Sequence, residues 1–581
     1  MSVDYKKLKN KWKEQGEIPS WYSTNALQFF MDKYSYQGES VKSRYETVNK
    51  MLATFAPKVY PIWWDEDEYF KGLTYEQAFN KLAWDGYAVD STPLLANGGL
   101  TNRGLTVSCS GQHMGNSVAS KAFIRGELEI LIKNSHGCSM DVSHWLSEGT
   151  VYDSDGNISS GIIPIISEMQ ESTEAINQGI RRGQTLFAVD ALHGDFWKVA
   201  SKLYLERATL NIAWIITDEF IGKLNNGDTE TILRWNKILY LRMTTGKGYF
   251  TKIDTMNRNK AQVFKNLNLK VHASNLCNEV NLPANDEYSF TCVIINANLT
   301  LWDSFPKHLF HVLHIMQDCN VSNYIDILNK KTGINAIFLS KVKKFTEDFR
   351  AVGTGVCGWH SLLMQKRLVY GSMESMLLNE QIFSRMQADL NETNVWLAEV
   401  LGVPEGNKRA GIMLRNATTM MMPPTKSSAE LSRNSPTESI NPETALIKVK
   451  ESVGGDLLRI NTEFLKLMKE KGMYNDSEVE RIMTNKGSVQ DCDWLTQHEK
   501  DVFRIAFEIP MSAHLDLCSQ RQRFIDQQQS INLYFSGSDS EEYIAQIHKQ
   551  ALLDDNINGL YYCYSSRNGR YERSDECLVC Q

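Results

Sequence analysis

The segment SNLCNEV places an amide, a thiol and a carboxyl group at alternate positions of the chain. Asn275, Cys277 and Glu279 are separated by Leu276 and Asn278. In an extended segment, residues two apart point the same way, so the three polar groups would converge on one small volume. A hydrogen-bonding group, a thiol and an acid or base would then stand together. Taken alone the pattern is weak, because a lone cysteine in an apolar run is more often a buried hydrophobic residue.

Four further cysteines lie where thiol chemistry could use them. Cys109 in LTVSCS and Cys292 in FTCVIINANL each lie on a predicted strand, and two strands of one sheet or barrel can bring them together. Cys577 and Cys580 form a C-x-x-C pair in a final stretch with few core-forming residues, which predicts a mobile tail. A zinc half-site is the alternative for this pair, but no second C-x-x-C or nearby histidine completes four ligands.

Composition and charge exclude several classes of protein. The 581 residues carry a formal net charge of −7, so no global basic field would hold a nucleic-acid polymer, although single nucleotides are not excluded. The N-terminal segment is charged, and no window reaches the roughly 18 apolar residues of a membrane span. The odd number of cysteines, 11, favours reduced thiols over a secreted disulfide framework. We therefore predict a soluble cytoplasmic protein, in the host cytoplasm if a phage encodes it.

The hydrophobic pattern changes along the chain. Residues 1–100 predict helices, and residues 101–310 alternate β-rich runs with helical stretches, which favours α/β units around a mainly parallel sheet or barrel. Residues 340–405 predict helices again, and residues 418–444 are rich in Pro, Ser, Thr and Asn, which indicates a long ordered loop or a pair of loops. Three parts are predicted: a helical N-terminal region at 1–100, a catalytic domain at 101–560 and a flexible tail at 561–581.

The chain resembles the large, catalytic subunit of class I ribonucleotide reductase, in segments that follow one another in the same order. The resemblance spans nearly the whole chain. It implies an α/β fold, a ten-stranded α/β barrel whose central finger loop carries the active-site cysteine, in a compact form without an N-terminal ATP cone. The segments that carry it are GESVKSRYETVNKMLA, DSTPLLANGG, SCS, QGIRRGQ, SNLCNE, FTC, GTGVCGW, MMPPTKSSAELS, LTQHEKDVFRIAFEI and LYY, with the terminal cysteine pair.

The resemblance also implies roles for the residues of the central segments. Cys277 would carry a thiyl radical that abstracts a hydrogen at C3′ of the ribose. Glu279 would take the proton of the 3′ hydroxyl, and Asn275 would hold the ribose hydroxyl or the carboxylate. Cys109 and Cys292 would become a disulfide and so supply the two electrons of the reduction. The implied enzyme is a ribonucleoside-diphosphate reductase, and class I resemblance favours diphosphate substrates.

Radical and electron supply would involve further proteins. Tyr561 and Tyr562 match the adjacent tyrosines that pass an electron and a proton to the active-site cysteine, although tyrosine pairs are commonly just packing. Class I then implies a radical made by the metal cofactor of a separate small, ferritin-like subunit, with no cofactor or metal bound directly by this chain. Cys577 and Cys580 would re-reduce the internal pair, and a thioredoxin or glutaredoxin-like protein would reduce the tail.

Nucleotide sites are implied by the same comparison. Clustered hydroxyls after two prolines can cradle a diphosphate. The substrate-contacting residues would be Thr92, Ser108, Thr425, Ser427 and Ser428. A mobile loop with two arginines would relay the identity of an effector nucleotide, a dNTP or ATP, in a homodimer. The effector residues would be Gln178, Arg181, Arg182, Asn116 and Ser117, where the last two replace an acidic residue that family members often carry.

Two alternatives remain at this point. A cobalamin-dependent (class II) reductase would make its radical from a bound cofactor, and the tyrosine pair speaks against it. A nucleotide-binding homologue without catalysis would keep the fold, but the presence of Cys109, Cys277, Glu279 and Cys292 argues against that. GTGVCG fits the G-x-G-x-x-G spacing of dinucleotide-binding loops, yet it follows a helical pattern rather than a strand.

Overall fold

The computed structural model describes residues 4–101, 103–107, 109–176, 183–450 and 457–566. Fourteen strands form in these residues: β1 Ala88–Asp90, β2 Cys109–His113, β3 Gly137–Asp141, β4 Thr185–Asp190, β5 Asn211–Ile216, β6 Tyr249–Lys252, β7 Phe290–Cys292, β8 Ile294–Asn298, β9 Gly353–Cys357, β10 Ile447–Lys450, β11 Leu457–Ile460, β12 Leu533–Phe535, β13 Gly559–Leu560 and β14 Cys563–Ser565.

Helices fill the segments between the strands. They are α1 Tyr5–Glu14, α2 Thr24–Lys33, α3 Val41–Ala53, α4 Tyr75–Asp85, α5 Thr92–Asn97, α6 Val118–Lys133, α7 Ile163–Ala175, α8 Phe196–Leu205, α9 Asp218–Asn225, α10 Thr229–Thr245, α11 Ile253–Asn259, α12 Gln262–Asn266, α13 Leu309–Asn329, α14 Gly333–Phe338, α15 Ser340–Phe349, α16 Trp359–Gln365, α17 Met373–Leu401, α18 Glu405–Arg409, α19 Lys426–Leu431, α20 Thr462–Glu470, α21 Asp476–Thr484, α22 Gln497–Val502, α23 Met511–Gln522 and α24 Glu541–Leu553. Among the described residues, none of these helices is both long and apolar enough to cross a bilayer.

Strands β2 to β6 form one half of a barrel wall. Each pairs in parallel with the next, and helices cross between them. Strands such as β5, NIAWII, are buried along their whole length, as expected for parallel strands that are covered on both faces. The half-barrel ends in two antiparallel junctions, where β7 pairs with β2 and β13 pairs with β6.

The second half closes the wall. β8 continues from β7 after one residue and pairs in parallel with β9. Parallel bridges then join Thr354 to Met420 and Met422 to Gln529, and β12 pairs in parallel with β14. This half has five strand-like segments if β7–β8 is counted as one strand and the bridged segments are counted as strands. Together with the five strands of the first half, they complete a ring of ten within the described residues. The predicted α/β barrel is confirmed.

The N-terminal helices pack beside the barrel. Thr74 and Gln77 form a capping box that starts α4 and thereby satisfies backbone N–H groups at its first turn. The chain then enters β1, which pairs antiparallel with β8, Ala88 opposite Ala297. This region is therefore joined to the sheet that contains β9. Its boundary at residue 100 remains a prediction.

Strand β9 corrects the sequence analysis, which predicted helix throughout residues 340–405. GTGVC is a buried strand, and its glycines explain why the pattern misled. A Cβ on Gly353 would lie 2.1 Å from Cε of Met421, and one on Gly355 would lie 2.6 Å from Cδ of Pro423. The two glycines thus let residues 420–423 approach the strand closely.

Candidate active site

Cys277 lies on a tight turn in the interior of the protein. The N–H of Asn278 donates to the carbonyl of Asn275 at 3.1 Å, which closes a four-residue turn. Asn278 has φ +62°, a left-handed conformation that asparagine tolerates better than most residues. The extended geometry predicted for this segment is therefore wrong. Asn275, Cys277 and Glu279 are nevertheless all fully buried, and the turn brings them together.

Asn275 holds the carboxyl group of Glu279. Its Nδ2 donates to Oε1 of Glu279 at 2.7 Å, and its Oδ1 accepts from the N–H groups of Glu279 and Val280 at 3.0 and 3.2 Å. Burial raises the pKa of Glu279 well above its ordinary value, and nearby Cys109 adds to the rise, while the hydrogen bonds from Asn275 and Ser530 oppose it. The group is therefore a stronger base, once ionised, than an exposed glutamate.

Two residues from the second half-barrel support the turn. The hydroxyl oxygen of Ser530 lies 2.5 Å from the carbonyl oxygen of Cys277 and 3.3 Å from Oε2 of Glu279. The side-chain Nε2 of Gln528 donates to the carbonyl of Asn278 at 2.9 Å, and the backbone N–H of Gln528 donates to the carbonyl of Glu279 at 3.1 Å. Sequence analysis missed both residues. The only available signal was the polar run QQQS directly before an apolar strand.

Cys109 begins β2 and lies directly opposite Cys292 of β7 in antiparallel register. Cα atoms of directly opposed residues in such a pair are about 4.5–5.5 Å apart, which falls within the range found across disulfides. The Cys109 side chain is fully buried, and it contributes to the raised pKa of Glu279. The side chain of Cys292 lies outside the described part of the structure.

Tyr561 connects the turn to a group of aromatic rings. Its hydroxyl lies 3.5 Å from the sulfur of Cys277. Its ring centroid is 4.2 Å from that of Tyr562 and 4.6 Å from that of Tyr249, and Tyr562 continues to Tyr564 at 5.8 Å. All four tyrosines are buried. The structure thus places Tyr561 in contact with the predicted radical cysteine and Tyr562 in contact with Tyr561.

Arg242 fixes the backbone beneath these rings. The guanidinium is fully buried, and its Nη1 donates to the carbonyl of Gly248 at 3.1 Å. Nη1 also donates to the carbonyl of Tyr561 at 3.0 Å, and Nε donates to Nε2 of His548 at 3.1 Å. Burial, together with the charge of Arg242, lowers the pKa of His548 to about 3. His548 is therefore neutral, and its Nε2 has the lone pair that is needed to accept the hydrogen bond from Arg242.

The predicted phosphate-binding hydroxyls lie between α19 and the N-terminal region. Nζ of Lys33 donates to Oγ of Ser427 at 2.8 Å, and Oγ of Ser428 donates to the carbonyl of Asp90 at 3.1 Å. The hydroxyls of Thr92 and Tyr34 are 3.0 Å apart. Lys33, which sequence analysis missed, thus brings a positive charge to the predicted phosphate site.

Thr425 links this cluster to the turn. Its Oγ1 accepts from the N–H of Ser439 at 2.8 Å, and two residues further along Nδ2 of Asn441 donates to the carbonyl of Ser530 at 3.4 Å. Ser530 in turn contacts Cys277 and Glu279. Residues 439–441 therefore connect Thr425 of the hydroxyl cluster to Ser530 beside the thiol turn.

Comparison with known proteins gives this region a family. The family model described as "Ribonucleotide reductase, barrel domain" matches residues 233–408 and 407–563, which are more than half of the chain. The chain belongs to the ribonucleotide reductase family. The alpha subunit of the class Id ribonucleotide reductase of Actinobacillus ureae has the same fold, with a TM-score of 0.83, 27% identity and coverage of 97% of this chain and 99% of that one.

Relatives of this ribonucleotide reductase chain occur in viruses. A protein of Frog virus 3 (isolate Goorha), assigned as a ribonucleoside-diphosphate reductase large subunit, is 26% identical over 531 residues, which cover 86% of this chain and 90% of that protein. The ribonucleoside-diphosphate reductase large subunit of Invertebrate iridescent virus 3 is 30% identical over 359 residues, 61% of this chain and 55% of that protein. The resemblance to a reductase large subunit is thus confirmed.

The remaining predicted residues of the reductase lie apart from Cys277 or outside the described residues. Asn116 and Ser117 are exposed, and Ser117 caps α6 by accepting the N–H of Ser120 at 3.1 Å. They follow the end of β2 opposite to Cys109, about 13 Å or more along the strand at 3.3 Å per residue. The predicted residues outside the described part are Ser108, Gln178, Arg181, Arg182, Cys577 and Cys580.

Proposed function

We propose that this chain reduces ribonucleoside diphosphates to 2′-deoxyribonucleotides with a thiyl radical on Cys277. The observation that carries the proposal is the 3.5 Å contact between the hydroxyl of Tyr561 and the sulfur of Cys277. A buried phenol at hydrogen-bonding distance from a buried thiol can take its hydrogen atom, provided that an oxidant first removes an electron and a proton from the phenol. Tyr562, whose ring centroid lies 4.2 Å from that of Tyr561 at a tilt of 54°, would be the group that oxidises Tyr561.

The reaction balances with the side chains at hand. The Cys277 radical takes the C3′ hydrogen and becomes a thiol, and ionised Glu279 takes the proton of the 3′ hydroxyl. The 2′ hydroxyl leaves as water with a proton from one thiol of the Cys109–Cys292 pair, and the hydrogen of the second thiol goes to C2′ as the pair becomes a disulfide and supplies two electrons. C3′ finally recovers its hydrogen from Cys277, and Glu279 returns its proton to the 3′ oxygen. Asn275 keeps the Glu279 carboxylate oriented throughout.

Several partners follow from this chemistry. A small, ferritin-like subunit with a metal cofactor would supply the radical, and dNTP or ATP effectors would act at a homodimer near Asn116 and Ser117. Cys577 and Cys580 would reduce the internal disulfide, and a thioredoxin or glutaredoxin-like protein would reduce them in the cytoplasm. The diphosphate would bind at Thr425, Ser427 and Ser428, where Lys33 adds positive charge.

The test is turnover of a ribonucleoside diphosphate by the purified full chain with dithiothreitol. One arm adds a metal-loaded class I small subunit and the other adds adenosylcobalamin, each with Cys277→Ser and with Cys319→Ala as a matched buried-cysteine control. We expect turnover only with the small subunit, lost in Cys277→Ser and kept in Cys319→Ala. Turnover with cobalamin alone would assign the class II mechanism, and none in either arm would favour a nucleotide-binding homologue.

A further inference from the structure

Three histidines and an aspartate meet at the end of β2 that is remote from Cys109. His113 is the last residue of β2, Asp141 is the last residue of β3, His144 follows it, and His272 lies on the segment that leads to Cys277. One ligand atom from each of the four lies within 4.8 Å of the others. His113, the Asp141–His144 pair and His272 are distant from one another in sequence, so no spacing motif predicts the group.

Three of the four ligand atoms are spaced nearly as they are in a tetrahedral metal site. Nε2 of His144 lies 3.3 Å from Nδ1 of His272 and 3.2 Å from Oδ2 of Asp141, and Nδ1 of His272 lies 3.8 Å from the same oxygen. Ligand atoms about 2.0–2.1 Å from a tetrahedral zinc ion lie about 3.3 Å from one another. His113 completes the group from the strand, its ring centroid 4.3 Å from that of His272.

The hydrogen bonding of the group also suits a cation. Nδ1 of His113 is buried and finds no hydrogen-bond partner among the described residues. The second oxygen of Asp141 accepts the N–H of Ser143 at 2.9 Å, a contact that orients the carboxylate.

We propose that His113, Asp141, His144 and His272 bind one divalent cation of the zinc type. Three imidazoles and a single carboxylate favour zinc over magnesium, which prefers oxygen ligands. His272 precedes Cys277 by five residues, and His113 shares β2 with Cys109. The ion would therefore tie the stem of the cysteine turn to the strand that carries the reducing thiol. Its role is structural, and it takes no part in electron transfer.

The experiment measures zinc binding by the full chain without nucleotide, so that no phosphate-borne cation contributes. Cys577→Ser and Cys580→Ser are present throughout, to remove binding by the C-x-x-C pair. Titration calorimetry with zinc chloride should show one site that magnesium does not fill. His144→Ala and His272→Ala should each weaken it by at least about tenfold, whereas the exposed His498→Ala should not.

A second readout keeps the test decisive if a variant folds poorly. Zinc should raise the thermal unfolding temperature of the parent protein and should lose this effect in His144→Ala, whose half-exposed side chain makes misfolding a small risk. Equal zinc affinity and equal thermal protection in the parent and both histidine variants would overturn the proposal. Because neither measurement needs turnover, failure of the proposed reaction would leave this test intact.

Discussion

Arg242 holds the backbone carbonyl of Tyr561 through a hydrogen bond of 3.0 Å from its Nη1. The same guanidinium donates from Nε to His548, so the position of the tyrosine depends on a histidine that must stay neutral. A protonated His548 would place two cations side by side in a buried space. The anchoring of Tyr561 therefore contains a group that is sensitive to acid.

The first prediction concerns this histidine. The pKa of His548 is about 3 in the folded protein against an ordinary 6.5, so the unfolded chain takes up the proton first as pH falls. The free energy of unfolding should therefore decrease below pH about 6.5, by about 1.4 kcal/mol per pH unit from this group. Urea unfolding at several pH values between 7 and 5 should show a shallower decrease for His548→Gln. His498→Gln, at an exposed site, should follow the wild type, and an unchanged slope in His548→Gln would contradict the prediction.

The second prediction concerns Glu279. Its raised pKa keeps the proton bound in the folded protein at pH values where the unfolded chain, near 4.5, has released it. Above pH about 4.5 this group therefore lowers the free energy of unfolding by about 1.4 kcal/mol per pH unit, until its folded pKa is reached. Glu279→Gln should gain stability relative to the wild type as pH rises from 4 to 7, while losing turnover. Glu399→Gln, on the surface of α17, serves as the control, and a pH-independent difference for Glu279→Gln would refute the assignment.

The third prediction concerns the tyrosine pair. Tyr561→Phe and Tyr562→Phe remove only a phenol oxygen, so the fold should persist while turnover with the small subunit falls by about 1000-fold or more. Tyr324→Phe, another buried tyrosine, whose hydroxyl lies 3.5 Å from His136, should keep its turnover. Activity assays and thermal melts of the three variants check this. Retention of turnover in Tyr561→Phe would show that the radical reaches Cys277 by another route.

The fourth prediction concerns Lys33, which donates to Ser427. If the hydroxyl cluster binds the diphosphate, Lys33→Ala should raise KM for the substrate by about tenfold and leave kcat nearly unchanged, since a charge-assisted hydrogen bond contributes about 1.5–3 kcal/mol. The effect should shrink at high ionic strength. Steady-state kinetics at two salt concentrations, with the exposed Lys50→Ala as control, decide the matter. A decrease in kcat with an unchanged KM would show that Lys33 does not contribute to substrate binding.

The sequence was sufficient to predict the family and to group functional residues that lie close together along the chain. Asn275, Cys277 and Glu279 could be grouped because they share one short segment, yet the turn at Asn278 depends on a φ value that alternation cannot reveal. Ser530 and Gln528 lie about 250 positions away, and their contacts exist only after the barrel closes. Of the four metal-ligand candidates, His113 and Asp141 meet through strand register, and His272 joins them only in the folded chain.

The glycines of β9 show a different limit. Sequence rules treat glycine as a sign of a turn or loop, because its backbone is the most flexible. In GTGVC the missing side chains instead make room for Met421 and Pro423 of the neighbouring segment. That need depends on a partner strand more than sixty residues later, so no local pattern could have predicted the strand.

The two antiparallel junctions of the barrel have a consequence for how the protein can vary. One junction pairs Cys109 with Cys292, and the other pairs Gly559 and Leu560 with β6 immediately before Tyr561. A shift of one residue in a strand turns every inward side chain outward. At these two places a single inserted or deleted residue would thus disconnect the reducing thiols or the tyrosine relay without unfolding the wall. Changes in chain length should be tolerated in the surface loops between helices and strands and rejected at both junctions.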